Sequence, residues 1–315
     1  MNDGGRKFSL VSTADAAAGN LLEQFPGPDL PHQMSRVQAL LLDMDGVLYK
    51  GDEILPGVLE GLAYFEQTGR SIVYVTNNAT RTPAMFVDKL AAMGISAREE
   101  QVLTSAEATG GWMARNAPVG SKVQLIGQAG VWTAMLAHGF KPANTPQDAD
   151  FVVVGMDFHL DYRKCAEATL AIQAGARFIA TNEDATFPSE EGEIPGAGSI
   201  VALLKTATGV QPEVIGKPYP GMFEEAMARL QLNAGACLMV GDRYETDIQG
   251  AQKLAMWTAG VCTGVTSRAE FLAQERPPNF VFADMPDLVA AFRQFDGLPW
   301  QAAAAARKRP RSPAL

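Results

Sequence analysis

Two carboxylates, Asp43 and Asp45, stand one residue apart at the end of an apolar run, Val37-Gln38-Ala39-Leu40-Leu41-Leu42. Gly46 follows them. A buried strand that delivers two negative charges to its exposed end must have them offset, because like charges repel and burial disfavours ionisation. A hard divalent ion such as Mg²⁺ takes oxygen ligands and works with one or two carboxylates plus phosphate. The pair therefore predicts a metal-assisted site for phosphate chemistry.

Three further polar groups follow predicted strands. Thr76-Asn77-Asn78 comes after Ser71–Val75. Lys217 lies in Gly216-Lys217-Pro218, behind the short run Glu213–Ile215. Asp242 and Asp247 lie in Gly241-Asp242-Arg243-Tyr244-Glu245-Thr246-Asp247, behind Cys237–Val240. Each group alone reads as an ordinary turn or loop. In order, each behind a strand, they converge, since ligands of open parallel sheets bind outside the carboxyl ends of the strands.

Their chemistry is complementary. Asp43 can attack phosphorus. Asp45 can protonate the leaving oxygen and then deprotonate water. Lys217 supplies a compact positive charge, and Thr76 with nearby backbone N–H groups can hydrogen-bond phosphoryl oxygens. Asp242 adds a metal ligand, and Asp247 orients groups around the metal from outside its ligand set.

The elements that must position these residues alternate. Val37–Leu42 and Ser71–Val75 read as strands, and Val58–Gln67 and Pro83–Met93 as helices. The rhythm returns with a helix over 221–230, the strand Cys237–Val240, a helix over 247–254 and the strand Trp257–Val261. Between the two blocks lie strands at Lys122–Ile126, Phe151–Val154 and Arg177–Ala180. Helices are predicted there over 105–116, with Ser105 as N-cap, and over 130–138, 162–174 and 199–206. The fold class is α/β: a doubly wound parallel-sheet core with an inserted α/β domain. The predicted division is an extension over 1–35, a core over 36–103 and 207–296, the insertion over 104–206 and a basic tail over 297–315. Met34 is a candidate start for the patterned chain.

Composition excludes other classes. With 47% hydrophobic and 19% charged residues, the chain is globular. Net charge is −9. The tail carries Arg307, Lys308, Arg309 and Arg311; removing these from 26 basic residues leaves 22 against 35 acidic, or −13. An acidic body argues against nucleic-acid binding. Cys165, Cys237 and Cys262 have neither zinc nor disulfide spacing. No apolar run is long enough to span a bilayer, and no secretory leader is evident. The expected setting is cytoplasmic, with a small-molecule phosphate ester as partner.

Asp43-Met44-Asp45-Gly46-Val47, Thr76-Asn77-Asn78, Gly216-Lys217-Pro218 and Gly241-Asp242…Asp247 resemble the motifs of the haloacid dehalogenase superfamily, phosphatase branch. The large insertion, Thr-Asn-Asn as second motif and Pro195-Gly196-Ala197-Gly198-Ser199 are similar to the NagD-like, or 4-nitrophenylphosphatase-like, subfamily IIA. The resemblance covers about Val37 to Ser267. It implies a Rossmann-like core with a type-II cap, Asp43 as nucleophile and Asp45 as acid/base. It also implies Mg²⁺ held by the Asp43 carboxylate, the Asp45 backbone carbonyl and the Asp242 carboxylate. Thr76, Asn77, Asn78 and Lys217 would bind the phosphoryl group. Relatives often pair through their caps, so a homodimer is the matching expectation.

Two departures bear on specificity. Glu245 stands where many relatives have Asp. The loop Thr181-Asn182-Glu183-Asp184-Ala185-Thr186-Phe187-Pro188 resembles the substrate loop of pyridoxal phosphate phosphatases, but Phe187 replaces their substrate-contacting His. Asn182 and Phe187 are thus the cap residues expected to bear on substrate choice. A phosphotransferase or mutase using the same aspartyl phosphate is the alternative activity, and a non-catalytic phosphometabolite sensor a further one. Halide departure needs no proton, so Asp45 fits phosphate esters better than dehalogenation.

Overall fold

A computed structural model describes residues 34–189 and 191–297. Six parallel strands form the larger sheet, in the order Phe280–Phe282, Trp257–Val261, Cys237–Gly241, Ala39–Asp43, Ser71–Thr76, Val102–Thr104. Ala39–Asp43 is central, in register with Cys237 on one side and Ser71 on the other. Its side chains alternate between two buried layers, as period-two geometry requires. Leu40 and Leu42 pack with Phe65, Phe280 and Phe292, whereas Ala39 and Leu41 pack with Phe223, Met222 and Met239. Both faces are covered, which is why this strand reads as an unbroken apolar run.

The inserted residues form a second parallel sheet ordered Glu213–Val214, Arg177–Ala180, Phe151–Val154, Lys122–Ile126, Lys141–Pro142. The helix Ser105–Asn116 joins the two layers. Its Ala106, Ala108 and Met113 share one apolar cluster with Val73 and Val75 of the larger sheet and Leu125 and Val153 of the smaller. The side chain of Thr104, not the expected Ser105, caps this helix by accepting from Glu107 N–H at 3.1 Å. Ser105 Oγ instead donates to the carbonyl of Asn77 at 2.5 Å.

Other departures concern short or edge elements. Glu213–Val214, expected beside the core strands, pairs with Ile179 and Ala180 in the smaller sheet. Two residues offer too little apolar pattern to select a sheet, and this segment returns past the cap edge. Met34, expected in the N-terminal extension, is 1% exposed and packs in the core. The start of the helix expected over 247–254 is a π-helical turn, Tyr244–Ile248, followed by Gln249–Lys253. The expected basic tail from 298 on, and the extension up to residue 33, lie outside the described residues. Among the described residues no helix is long and apolar enough to cross a membrane.

The helix Met285–Gly297 closes one face of the core through Leu288, Phe292 and Phe295. An ion pair between buried Arg70 and half-buried Asp296 anchors it. Arg70 donates to Asp296 Oδ1 at 2.5 Å and Oδ2 at 2.8 Å, and through Nε to Val37 O at 3.2 Å. Tyr64 also donates to Asp296. Removing one partner of a buried pair leaves the other charge uncompensated. Arg70→Ala is therefore expected to cost about 3 kcal/mol of stability, measured by urea unfolding. A loss below about 0.5 kcal/mol, the scale of ordinary surface substitutions, would show that the pair does not anchor this helix.

Candidate active site

Three strand ends of the larger sheet, and the loop after Glu213–Val214, converge on one cleft. Its volume is about 680 Å³, and Asp43, Asp45, Thr76, Asn78, Lys217 and Asp242 line it. Asn77, Asn182 and Phe187 line it as well. Asp247 lies behind them, 0% exposed.

Lys217 is 3% exposed. Its Nζ donates to Asp43 Oδ1 at 2.6 Å and lies 2.6 Å from Asp247 Oδ1. The second contact is a close ion pair within the protein interior. Burial alone would lower the Lys217 pKa, but Asp247 and Asp43 outweigh it and push it up. Lys217 is therefore charged.

Asp43, Asp242 and Asp247 each offer an oxygen within 4.8 Å of the others. Three hard anionic donors at this spacing fit a Mg²⁺ ion. Asp247, expected to orient groups around the metal from outside its ligand set, is the most enclosed of the three, and its Oδ1 lies 2.6 Å from Lys217 Nζ. Burial pushes the Asp43 carboxyl well up; Lys217 opposes this, while Asp247 and Asp242 add to it. Burial, then Asp247, push Asp242 up to about 6. Backbone packing fixes Asp242 in turn. A Cβ on Gly264 would lie 1.9 Å from its Oδ2, and one on Gly46 2.6 Å away. Gly46 also has φ +81°, so the turn after the paired carboxylates requires glycine twice over.

A sign follows for stability without metal. A carboxyl raised in the folded state binds protons there more tightly than in the unfolded chain. Its penalty is absent below about pH 4, the ordinary carboxyl value, and complete above the folded value of about 6. In EDTA, Asp242→Asn should therefore gain stability relative to the unsubstituted protein between pH 4.5 and 7. Parallel urea titrations at the two pH values read the difference. A relative loss with rising pH would contradict the raised carboxyl.

Asp45 is exposed at the mouth and pairs by backbone bridge with Tyr49. Desolvation raises its carboxyl, opposed by Lys89, Lys50 and Arg243. Among the described residues it is not part of the acidic cluster. Thr76 Oγ1 accepts from Asn78 N–H at 3.1 Å, and Asn78 Oδ1 accepts from Thr80.

Two assigned residues are already occupied. Asn77 Oδ1 accepts from Lys217 N–H at 2.8 Å, and its Nδ2 donates to Lys217 O and to Asp184. Asn182 Nδ2 donates to Asn77 O at 2.8 Å while its Oδ1 accepts from Asp184 N–H. Both amides join cap to core. Phe187 does two things: it packs edge-on against Phe158, centroids 5.6 Å apart, and it walls the cleft. Glu245, the other departure, is exposed. Sequence reasoning did not single out Asp184, Arg81, Lys89 or Arg243, which also line the cleft. Asp184 was visible only as part of a loop.

A Rossmann-like core, an α/β cap and an acidic cluster joined to a buried lysine define a hydrolase class. The chain belongs to the haloacid dehalogenase-like hydrolases, in their phosphatase branch. The haloacid dehalogenase-like hydrolase model matches residues 40–141, and a HAD-hydrolase-like model matches 214–288. The chain is 38% identical over 256 residues to the acid sugar phosphatase of Staphylococcus saprophyticus, covering 81% of this chain and 98% of that one. The 4-nitrophenylphosphatase structure from Thermotoga maritima superposes with TM-score 0.76 at 32% identity, covering 82% of this chain and 98% of that one. The glycerol phosphate phosphatase of Mycobacterium tuberculosis, solved with magnesium, gives TM-score 0.75 at 36% identity, covering 80% and 76%.

Proposed function

We propose that this chain is a Mg²⁺-dependent phosphomonoester hydrolase that acts on small phosphorylated metabolites through an aspartyl phosphate on Asp43. The contact of Lys217 Nζ with Asp43 Oδ1, beside the three-carboxylate cluster, carries the reading. Relatives named for sugar phosphate, nitrophenyl phosphate and glycerol phosphate support the substrate class.

An Asp43 oxygen attacks phosphorus and the ester P–O bond breaks. Asp45, whose raised carboxyl holds a proton more readily, gives that proton to the leaving oxygen. In the second step Asp45 takes a proton from water. The water oxygen bonds to phosphorus, the P–O bond to Asp43 breaks, and inorganic phosphate and the Asp43 carboxylate remain. Lys217 balances charge on Asp43 and the phosphoryl oxygens throughout. Asn78, with its Oδ1 engaged by Thr80, turns its Nδ2 hydrogens to those oxygens. Asp43 and Asp242, with the Asp45 carbonyl, would hold Mg²⁺, which when bound neutralises phosphoryl charge.

The test is turnover of 4-nitrophenyl phosphate and of a panel of phosphorylated metabolites. Activity is expected with Mg²⁺, loss after exhaustive EDTA treatment, and recovery when Mg²⁺ returns. Unchanged rates in EDTA would sink the metal-dependent reading. Transfer of phosphate to an added alcohol in preference to water would favour a phosphotransferase.

A further inference from the structure

Asp184 is a half-buried carboxylate whose pKa is pushed up by its partial removal from water. Its hydrogen-bond partner is not a cation but an amide: Asn77 Nδ2 lies 3.1 Å from both of its oxygens. Holding a carboxylate in such a place costs free energy unless its contacts offset it.

The Asn77 amide has three partners of fixed polarity. Its Oδ1 faces the Lys217 N–H at 2.8 Å, and its Nδ2 faces the Lys217 carbonyl at 2.9 Å and the Asp184 carboxylate. An ionised carboxylate only accepts. A flipped amide would turn its oxygen on two acceptors and its NH₂ on a donor, so one orientation is enforced. In that orientation the amide grips the Lys217 backbone at both polar groups. The Lys217 ammonium then reaches Asp43 at 2.6 Å.

The surrounding contacts run the same way. Gly216 N–H donates to Thr181 O at 2.8 Å, Asn182 Nδ2 to Asn77 O at 2.8 Å, and Tyr219 to Glu183 Oε2 at 2.5 Å. A Cβ on Gly216 would sit 2.4 Å from Thr181 O. The cap loop 181–184 is thus seated directly on the two core loops that carry Asn77 and Lys217.

We infer that Asp184 is a positioning residue: through Asn77 it couples seating of the cap loop to placement of the Lys217 ammonium against Asp43. The inference rests on the role given to Lys217 in the proposed reaction. Asp184 lines the cleft, so the competing role is direct contact with substrate hydroxyls. The ester 4-nitrophenyl phosphate has no such hydroxyl and separates the two.

With that substrate, Asp184→Ala should lower kcat by about 10-fold or more, the scale of a misplaced catalytic group, and change KM less. Asp184→Asn keeps one acceptor for Asn77 and should restore part of the loss. The pH–rate profile should keep its shape in Asp184→Asn, since positioning moves no proton. Asp184→Ala combined with Asn77→Ala should be no worse than Asn77→Ala alone, because the two act in series. Unchanged kcat, or losses that multiply, would overturn the inference. If Asp184→Ala does not fold, the Asp184→Asn and Asn77→Ala pair decides by the same criterion. A second readout needs no turnover. The ¹⁵Nζ resonance of Lys217, assigned by its loss in Lys217→Ala, should move in Asp184→Asn and stay in the exposed control Asp52→Ala. An unmoved signal refutes the coupling. A moved signal in a protein without phosphatase activity upholds the coupling and refutes the proposed reaction.

Discussion

Asp43→Asn should abolish turnover of 4-nitrophenyl phosphate, by about 10³-fold or more, the scale seen when a covalent nucleophile is removed. The substitution keeps size and shape at the end of Ala39–Asp43, so the central strand and its pairing with Ser71–Thr76 are undisturbed. What changes is charge. An amide oxygen is a poor nucleophile toward phosphorus, the cluster of Asp43, Asp242 and Asp247 loses one anionic donor, and Lys217 keeps only Asp247 as a close counter-charge. Folding moves in the opposite direction. Asp43 is held well above the ordinary carboxyl range by burial, against the pull of Lys217, so neutralising it should not weaken the metal-free protein at pH 7. Activity lost at an unchanged or higher melting temperature is the expected pair of results. A variant that hydrolyses the ester at the unsubstituted rate would remove Asp43 from the chemistry.

Long, strongly patterned elements were legible in the sequence, and so were strand-end polar groups. Val58–Gln67 and Trp257–Val261 fall where periodicity puts them. Asp43, Thr76 and Asp242 reach one cleft because their parallel strands share a carboxyl edge, and the loop after Glu213–Val214 brings Lys217 to it from the smaller sheet. Less was legible where tertiary contacts decide. Glu213–Val214 is too short to specify its sheet. The cap of the helix Ser105–Asn116 is Thr104 because Asn77 O takes the Ser105 hydroxyl. The closing helix Met285–Gly297 depends on Arg70, more than two hundred residues away in sequence. In the site, a motif identifies side chains but not their partners. Asn77 looks like a phosphate ligand beside Thr76 and Asn78, yet both ends of its amide are engaged by Lys217 and Asp184. Asp247 was expected near the metal, but its 2.6 Å contact with Lys217 Nζ could not be read from the motif.

Lys217→Ala carries the second large effect: kcat should fall by about 10²-fold or more, as for loss of a preorganised transition-state donor. Burying an ammonium is unfavourable by itself, and Asp247 and Asp43, each 2.6 Å away, more than offset that cost. Without it, Asp43, Asp242 and Asp247 face one another and an incoming phosphate dianion with no buried positive charge beside them. Lys217 is also the strongest influence holding the Asp43 carboxyl down, so its removal pushes that carboxyl further up. The nucleophile must be ionised to attack. The acidic limb of the pH–rate profile should therefore move to higher pH as the maximum falls. Lys217→Arg should not restore the rate, because a planar guanidinium is wider than the ammonium and its 3% exposed site is enclosed. A near-normal kcat in Lys217→Ala, or an acidic limb that stays in place, would show that the charge on Lys217 does not govern Asp43.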